Sequence, residues 1–186
     1  MDLTVHTPED APGGARPVLQ GIADDLGFVP NMAGAVANSP VLLAGFDGLR
    51  RAVGSGGLDP VLREVAGLAV GVAVDNAYGV AFHSTVLGSL GVDEADIAAM
   101  RAGEPGDDAS RAAVYELARR VVLDRGKVDD DVVTRATTAG LSTEDVLEVV
   151  AECVFASLVG VVDNLAGRVE LDAFLSPRAW AGPARV

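Results

Sequence analysis

Apolar residues recur along this chain at three- and four-residue spacing, as in Leu42, Phe46 and Leu49, and again in Val114, Leu117, Val121 and Val122. That period gathers them on one side of a helix, and no stretch shows the sustained alternation of a half-buried strand. Polar punctuation falls at the breaks. "NSP" at 38–40 and "LDP" at 58–60 each set a capping side chain before a proline at the first helical position. "LSTED" at 141–145 offers Ser142 and Asp145 as a capping box, and Asp93 opens a helix that Gly103 closes. The pattern predicts helices at roughly 15–26, 31–37, 40–54, 60–74, 77–89, 94–102, 109–124 and 143–165, with a weaker one at 130–139.

The expected fold class is therefore all-α, a single-domain multihelical bundle over residues 15–170. Residues 1–14 are expected to form an N-terminal tail and 171–186 a C-terminal tail with a short turn. In that tail "FLSPRAW" carries the single tryptophan, Trp180, which is expected to pack on a neighbour. The feature order of 49–64 is echoed at 118–135, and "VGVAVDN" at 70–76 by "VGVVDN". The offsets are unequal, and chance similarity in an Ala/Val-rich chain is the plainer reading.

Composition narrows the function classes. Only 4% of the residues are aromatic against 49% apolar, so Ala, Val and Leu must build the core. A net charge of -13 argues against nucleic acid and anionic membrane surfaces, both of which call for clustered Lys and Arg. "MDLTVHTPEDAPGG" reads as no secretory signal, and the apolar run Val149–Val162 is interrupted by Glu152 and too short to cross a bilayer. A single cysteine, Cys153, allows no intrachain disulfide; the expectation is a cytoplasmic protein.

The candidate chemistry sits around "DNAYGVAFHST", residues 75–85. Asn76, Gly79 and His83 are three and four residues apart and share one helical face. A tight turn near 74–76 would fold this helix antiparallel to the one before it, letting Glu64 meet His83. A buried carboxylate beside an imidazole fixes one ring nitrogen and raises its basicity. Spacing alone favours the plainer reading, a satisfied core histidine and a solvated glutamate.

The spacing Glu64, Asn76, Gly79, His83 resembles the E-x11-C-x2-C-x3-H pattern of the alkyl hydroperoxidase D / carboxymuconolactone decarboxylase superfamily. The surrounding "LREVAGLAVGVAVDNAYGVAFHSTVL" is similar to that family's central helix pair. "LGFVPNMAGAVANSPVLLAGFDGL" resembles its peroxidase-related branch, and "VVDNLAG" a downstream helix end. The resemblance covers about residues 20–170 and implies the alkyl hydroperoxidase D-like fold and a homo-oligomer, commonly a trimer or hexamer. In the redox members the two cysteines attack and resolve peroxide while Glu and His relay protons. Here Asn76 and Gly79 stand at the cysteine positions, and neither is a redox nucleophile. Cys153, in an apolar helix without a resolving partner, reads as a small buried hydrophobe.

The leading expectation is a cofactor-free acid/base lyase or isomerase acting on a small organic molecule. His83 would be the acid or base and Glu64 its tuner. Asn76 would hold an oxygen that gains charge, with Tyr78 a possible second donor. Gly79 would open space for substrate, and Phe82 and Met32 are candidate pocket walls, with core packing the plainer role for each. Arg63, the nearest cation by sequence, points about 100° away from Glu64 on an ideal helix. The alternative is a catalytically inactive, cysteine-less relative serving as a binding or assembly module, with a residual peroxidase ranked below both. One histidine and one cysteine in the body suggest no metal site, and no cofactor is expected.

Overall fold

The computed structural model describes residues 1–182. They form α1 (Arg16–Leu26), α2 (Asn31–Val36), α3 (Pro40–Gly54), α4 (Pro60–Ala73), α5 (Ala77–Ser89), α6 (Glu94–Arg101), α7 (Ala109–Leu123), α8 (Asp130–Thr138) and α9 (Thr143–Ala166), then a single 3-10 turn at Ser176–Arg178. The described residues hold no strand. The predicted punctuation forms: Ser39, Asp59, Asp93 and Ser142 each accept a backbone N–H of their helix's first turn, and Ser142 and Asp145 close a reciprocal capping box.

α4 is the hub. Its run from Glu64 to Gly71 is wholly buried, and it packs against α5, α6, α7 and α9. A helix apolar on every face can be accommodated only by burial on every face. One core cluster joins Val65, Leu68, Leu87, Met100, Tyr115, Leu117 and Val149; a second joins Leu19, Ile22, Met32, Leu43, Phe46, Tyr78 and Leu175. α5 and α9 contribute to both, and the candidate residues lie where the two clusters meet.

Both segments expected as tails lie along the body. The His6 N–H donates to the Gly34 carbonyl, the Asn38 amide to the Thr4 carbonyl, and Ala11 is buried. At the other end Leu175 is fully buried and Trp180 packs against the first cluster, its indole N–H donating to the Arg101 carbonyl. The last four residues of the C-terminal segment, 183–186, lie outside the described residues.

Candidate functional site

The site begins with the turn between α4 and α5. Asp75 adopts a left-handed φ of 56°, and the Asn76 N–H donates to the Gly71 carbonyl at 2.8 Å, reversing the chain within three residues. Arg168 braces this non-glycine turn, donating to the Asp75 carbonyl and pairing with its carboxylate at 3.1 Å. Asp163, fully buried on α9, accepts the Ala77 N–H at 3.0 Å and so places a negative charge at the positive end of α5.

With α4 and α5 antiparallel, Glu64 meets His83. His83 Nδ1 lies 2.8 Å from Glu64 Oε2, and both residues are buried. The imidazole edge rests on Gly67, where an added Cβ would fall 2.2 Å from Cε1 and 2.4 Å from Nε2. Position 67 must therefore lack a side chain for the ring to occupy this place. Arg63 departs from the ideal-helix expectation: its long side chain curls back, with Nε and Nη2 donating to Glu64 Oε1 at 3.2 and 3.0 Å. Beyond the ring, Glu152 of α9 is buried, with Oε1 3.7 Å from His83 Nε2 and without a hydrogen-bond partner. Arg63, Glu64, His83 and Glu152 thus form a row of alternating charge-bearing groups.

Environment tunes each group. Burial opposes ionisation of Glu64, but the hydrogen bond and charge of His83, helped by Arg63, outweigh it and hold the carboxyl below its ordinary range. Burial likewise depresses His83, yet Glu64 and then Glu152 outweigh it and hold the imidazole above its ordinary value. Glu152 has no such close partner, and burial pushes it up to about 7. Burial also drives Cys153 up to about 12, its thiol facing the Ala118 carbonyl. A thiol held protonated in this way is a poor nucleophile.

Gly79, His83, Met32 and Phe82 all line one cavity of about 100 Å³, together with Phe46 and Phe155. Phe82 meets the His83 ring edge-on at 5.3 Å between centroids. Two expected roles change. The Tyr78 ring lines the cavity, but its hydroxyl donates to Asp172 at 2.5 Å and is not a free second donor. Asn76 is fully buried: Oδ1 accepts the Gly79 N–H at 2.9 Å, Nδ2 has no partner, and the residue does not line the cavity. The carboxamide also occupies the space that Gly79 was expected to open, because a Cβ at 79 would lie 2.3 Å from Nδ2. A larger hollow of about 630 Å³ between α7 and α8 is a shallow surface lined mainly by alanines and threonines, away from this row. Among the described residues no three His, Cys, Asp or Glu side chains are arranged to hold a metal ion.

Glu152, Gly67, Asp163 and Arg168 were not singled out from sequence. Glu152 had left a trace there, as the one acid inside the apolar run of α9.

Residues 40–119 match the carboxymuconolactone decarboxylase family. No curated protein sequence matches the chain. Among solved structures it is similar to an alkylhydroperoxidase AhpD core, a peroxidase-related protein from Ralstonia eutropha JMP134, at 20% identity over 92% of both chains with a TM-score of 0.78. A peroxidase-related protein from Silicibacter sp. TM1040 is 16% identical over 93% of this chain and 91% of its own, with a TM-score of 0.73. The debrominase Bmp8, in a cysteine-to-alanine variant bound to 2,3,4-tribromopyrrole, is 18% identical over 94% of both chains with a TM-score of 0.74. At these identities the likeness is one of fold.

Proposed function

We propose that this chain, whose residues 40–119 are of the carboxymuconolactone decarboxylase family and whose fold is the alkyl hydroperoxidase D-like one, is a non-thiol acid/base enzyme of the lyase or isomerase type. Its substrate is a small, largely apolar organic molecule. The observation that carries this reading is His83, fixed through Nδ1 by a buried carboxylate and set in the wall of a cavity. With Glu64 outweighing the effect of burial, the imidazole keeps its proton to a higher pH than a free histidine and acts first as a general acid. Glu64 keeps the ring oriented and stabilises that charge. The cavity, on the scale of a single small ring, is walled by Met32, Phe46, Phe82 and Phe155, which favours an aromatic or unsaturated ring over a highly charged molecule. The bromopyrrole held by the debrominase is a molecule of that kind.

The test is a panel of small lactones, phenols and halogenated pyrroles, followed by NMR shifts at His83 and Gly79 and by product analysis. Binding in the cavity with turnover that His83→Gln abolishes is the expected result. Binding without turnover for every class would instead support the second reading, a catalytically inactive binding module. The buried, inward-turned Asn76 amide favours that reading, since it puts no reactive group where the redox relatives carry sulfur.

The partner we propose is another copy of the chain, in the cytoplasm. α9 exposes Leu147, Val154, Val161 and Leu165, spaced by seven and four, along a face with no exposed charge from Leu147 to Val161. A chain of charge -13 can approach its copy closely only across such a face. Family resemblance implies a trimer or hexamer. Sedimentation of the wild type against Val154→Glu/Val161→Glu tests it, a monomeric wild type overturning the proposal.

A further inference from the structure

The Glu64–His83 pair leaves one group of the site without a task. Glu152 enters from α9, opposite Glu64, and is 2% exposed. Its neighbours along the helix include the apolar or small Val149, Cys153 and Ala156, while Glu148, one turn earlier, spends its carboxylate on the Gly57 and Leu58 N–H groups, and nothing in the core packing calls for a second carboxylate. A buried acid with an unsatisfied oxygen is costly unless it acquires a proton or a partner. Oε1 is that oxygen, and the nearest group of opposite charge is His83 Nε2 at 3.7 Å. A movement of under about 1 Å closes this to a hydrogen bond. Nε2 is also the nitrogen that Glu64 leaves free.

We propose that Glu152 is the proton reserve of the site, exchanging a proton with His83 Nε2 across this gap and so refilling the imidazole after it has protonated a molecule in the cavity. The inference rests on the acid/base reading above and extends it. When the Nε2–H bond breaks and the proton passes to substrate, His83 is left neutral with its Nδ1–H held by Glu64. The Glu152 O–H bond then breaks, an Nε2–H bond forms, and Glu152 is left as carboxylate. Charge is conserved in this second step, since a neutral acid and neutral base become an ion pair. Glu152 regains its proton from solvent by way of His83 once the product has left. An acid pushed by burial to about 7 holds such a proton in part of the molecules at neutral pH.

The groups facing Glu152 are few. α5 presents His83, α4 presents Glu64 with Arg63, and its own helix adds the protonated Cys153. The charges of α3 (Asp47, Arg50 and Arg51) close on one another and on Asp25. Two interacting groups this close titrate as a unit.

The proton exchange can be read without any substrate, so its outcome is separate from whether a substrate is found. The experiment is a 15N and 13C NMR titration of the His83 ring, with His6→Gln removing the other histidine signal. In the wild type the Nε2 and Cε1 shifts should show two steps that belong to the coupled Glu152–His83 pair. Glu152→Gln, nearly the same shape, should erase the first step and move the second down by about one pH unit. Glu152→Leu should do the same and serves if the amide variant folds poorly. Infrared difference spectra should show a protonated-carboxyl stretch that both variants lack. A titration curve unchanged by either substitution, or no such carboxyl band between pH 5 and 8, overturns the proposal.

Discussion

The carboxamide of Asn76 lies where a side chain on Gly79 would have to go. Nδ2 would stand 2.3 Å from a Cβ at 79, while Oδ1 accepts the Gly79 N–H and caps α5. Asn76 and Gly79 are thus a matched pair. Each is the size it is because of the other.

That coupling predicts a non-additive cycle. Gly79→Ala alone should cost about 1–3 kcal/mol by overpacking, and Asn76→Ala about 1 kcal/mol through the lost cap. Together they should cost less than the sum, because removing the amide makes room for the methyl group. Chemical denaturation of the four proteins checks it. The same logic makes Asn76→Cys/Gly79→Cys better tolerated than Gly79→Cys alone. If the relatives' site geometry is inherited, that double variant should gain thiol-dependent peroxide turnover that the wild type lacks.

Gly67 predicts a second sensitivity. A methyl group there would overlap Cε1, Nε2 and Nδ1 of His83, all within 2.6 Å of its position. Gly67→Ala should displace the ring from Glu64 and destabilise the fold by about 2 kcal/mol or more, despite the alanine's better helix propensity. Loss of the raised His83 pKa in an NMR titration, with a lowered Tm, is the expected outcome.

The ion pair should leave its mark on stability against pH. Glu64 has a lowered pKa in the fold, so its contribution is present above its ordinary 4.5 and is lost as pH falls through the lower folded value. His83 has a raised one, so its contribution is full below its ordinary 6.5 and is lost as pH rises through the higher folded value. The pair therefore stabilises most between about pH 4.5 and 6.5. The Tm difference between wild type and Glu64→Gln should be widest in that window, corresponding to about 3 kcal/mol for a broken buried pair, and should narrow on either side.

Cys153 should behave as a core residue. Its thiol is 2% exposed and held protonated, so reaction with an aromatic disulfide reagent should be slow in the native state and fast on unfolding. Cys153→Ala should lose about 1 kcal/mol of stability and leave any peroxide consumption unchanged.

Much of this arrangement was legible in the chain. Caps at Ser39, Asp59 and Ser142 are local hydrogen bonds between residues two or three apart, and local chemistry is what a sequence displays directly. The three-residue turn made a meeting of Glu64 with His83 feasible, but spacing alone favoured a solvated glutamate. The family resemblance of the 64–83 spacing is what pointed to the pair.

Glu152 was not legible as part of the site. It lies on α9, and which side of that helix faces His83 depends on how α9 rolls against α4 and α5. Packing of many apolar contacts decides that, and a continuous apolar run such as Val149–Val162 does not reveal its own rotation. The partner of Tyr78 was not legible for a similar reason, since its hydroxyl donates to Asp172, ninety-four residues away. Asn76 turned inward because capping its own helix satisfied its oxygen.

The sequence by itself thus determined the helices and the α4–α5 hairpin, because hydrophobic period, caps and a short turn act over a few residues. Only the tertiary structure decided that Glu64 would be buried against His83, that α9 would bring a second carboxylate to the imidazole, that Gly67 would make room for the ring, and that the Asn76 amide would take the space beside Gly79. Those outcomes come from close packing between helices remote in sequence, where space taken by one side chain is denied to another.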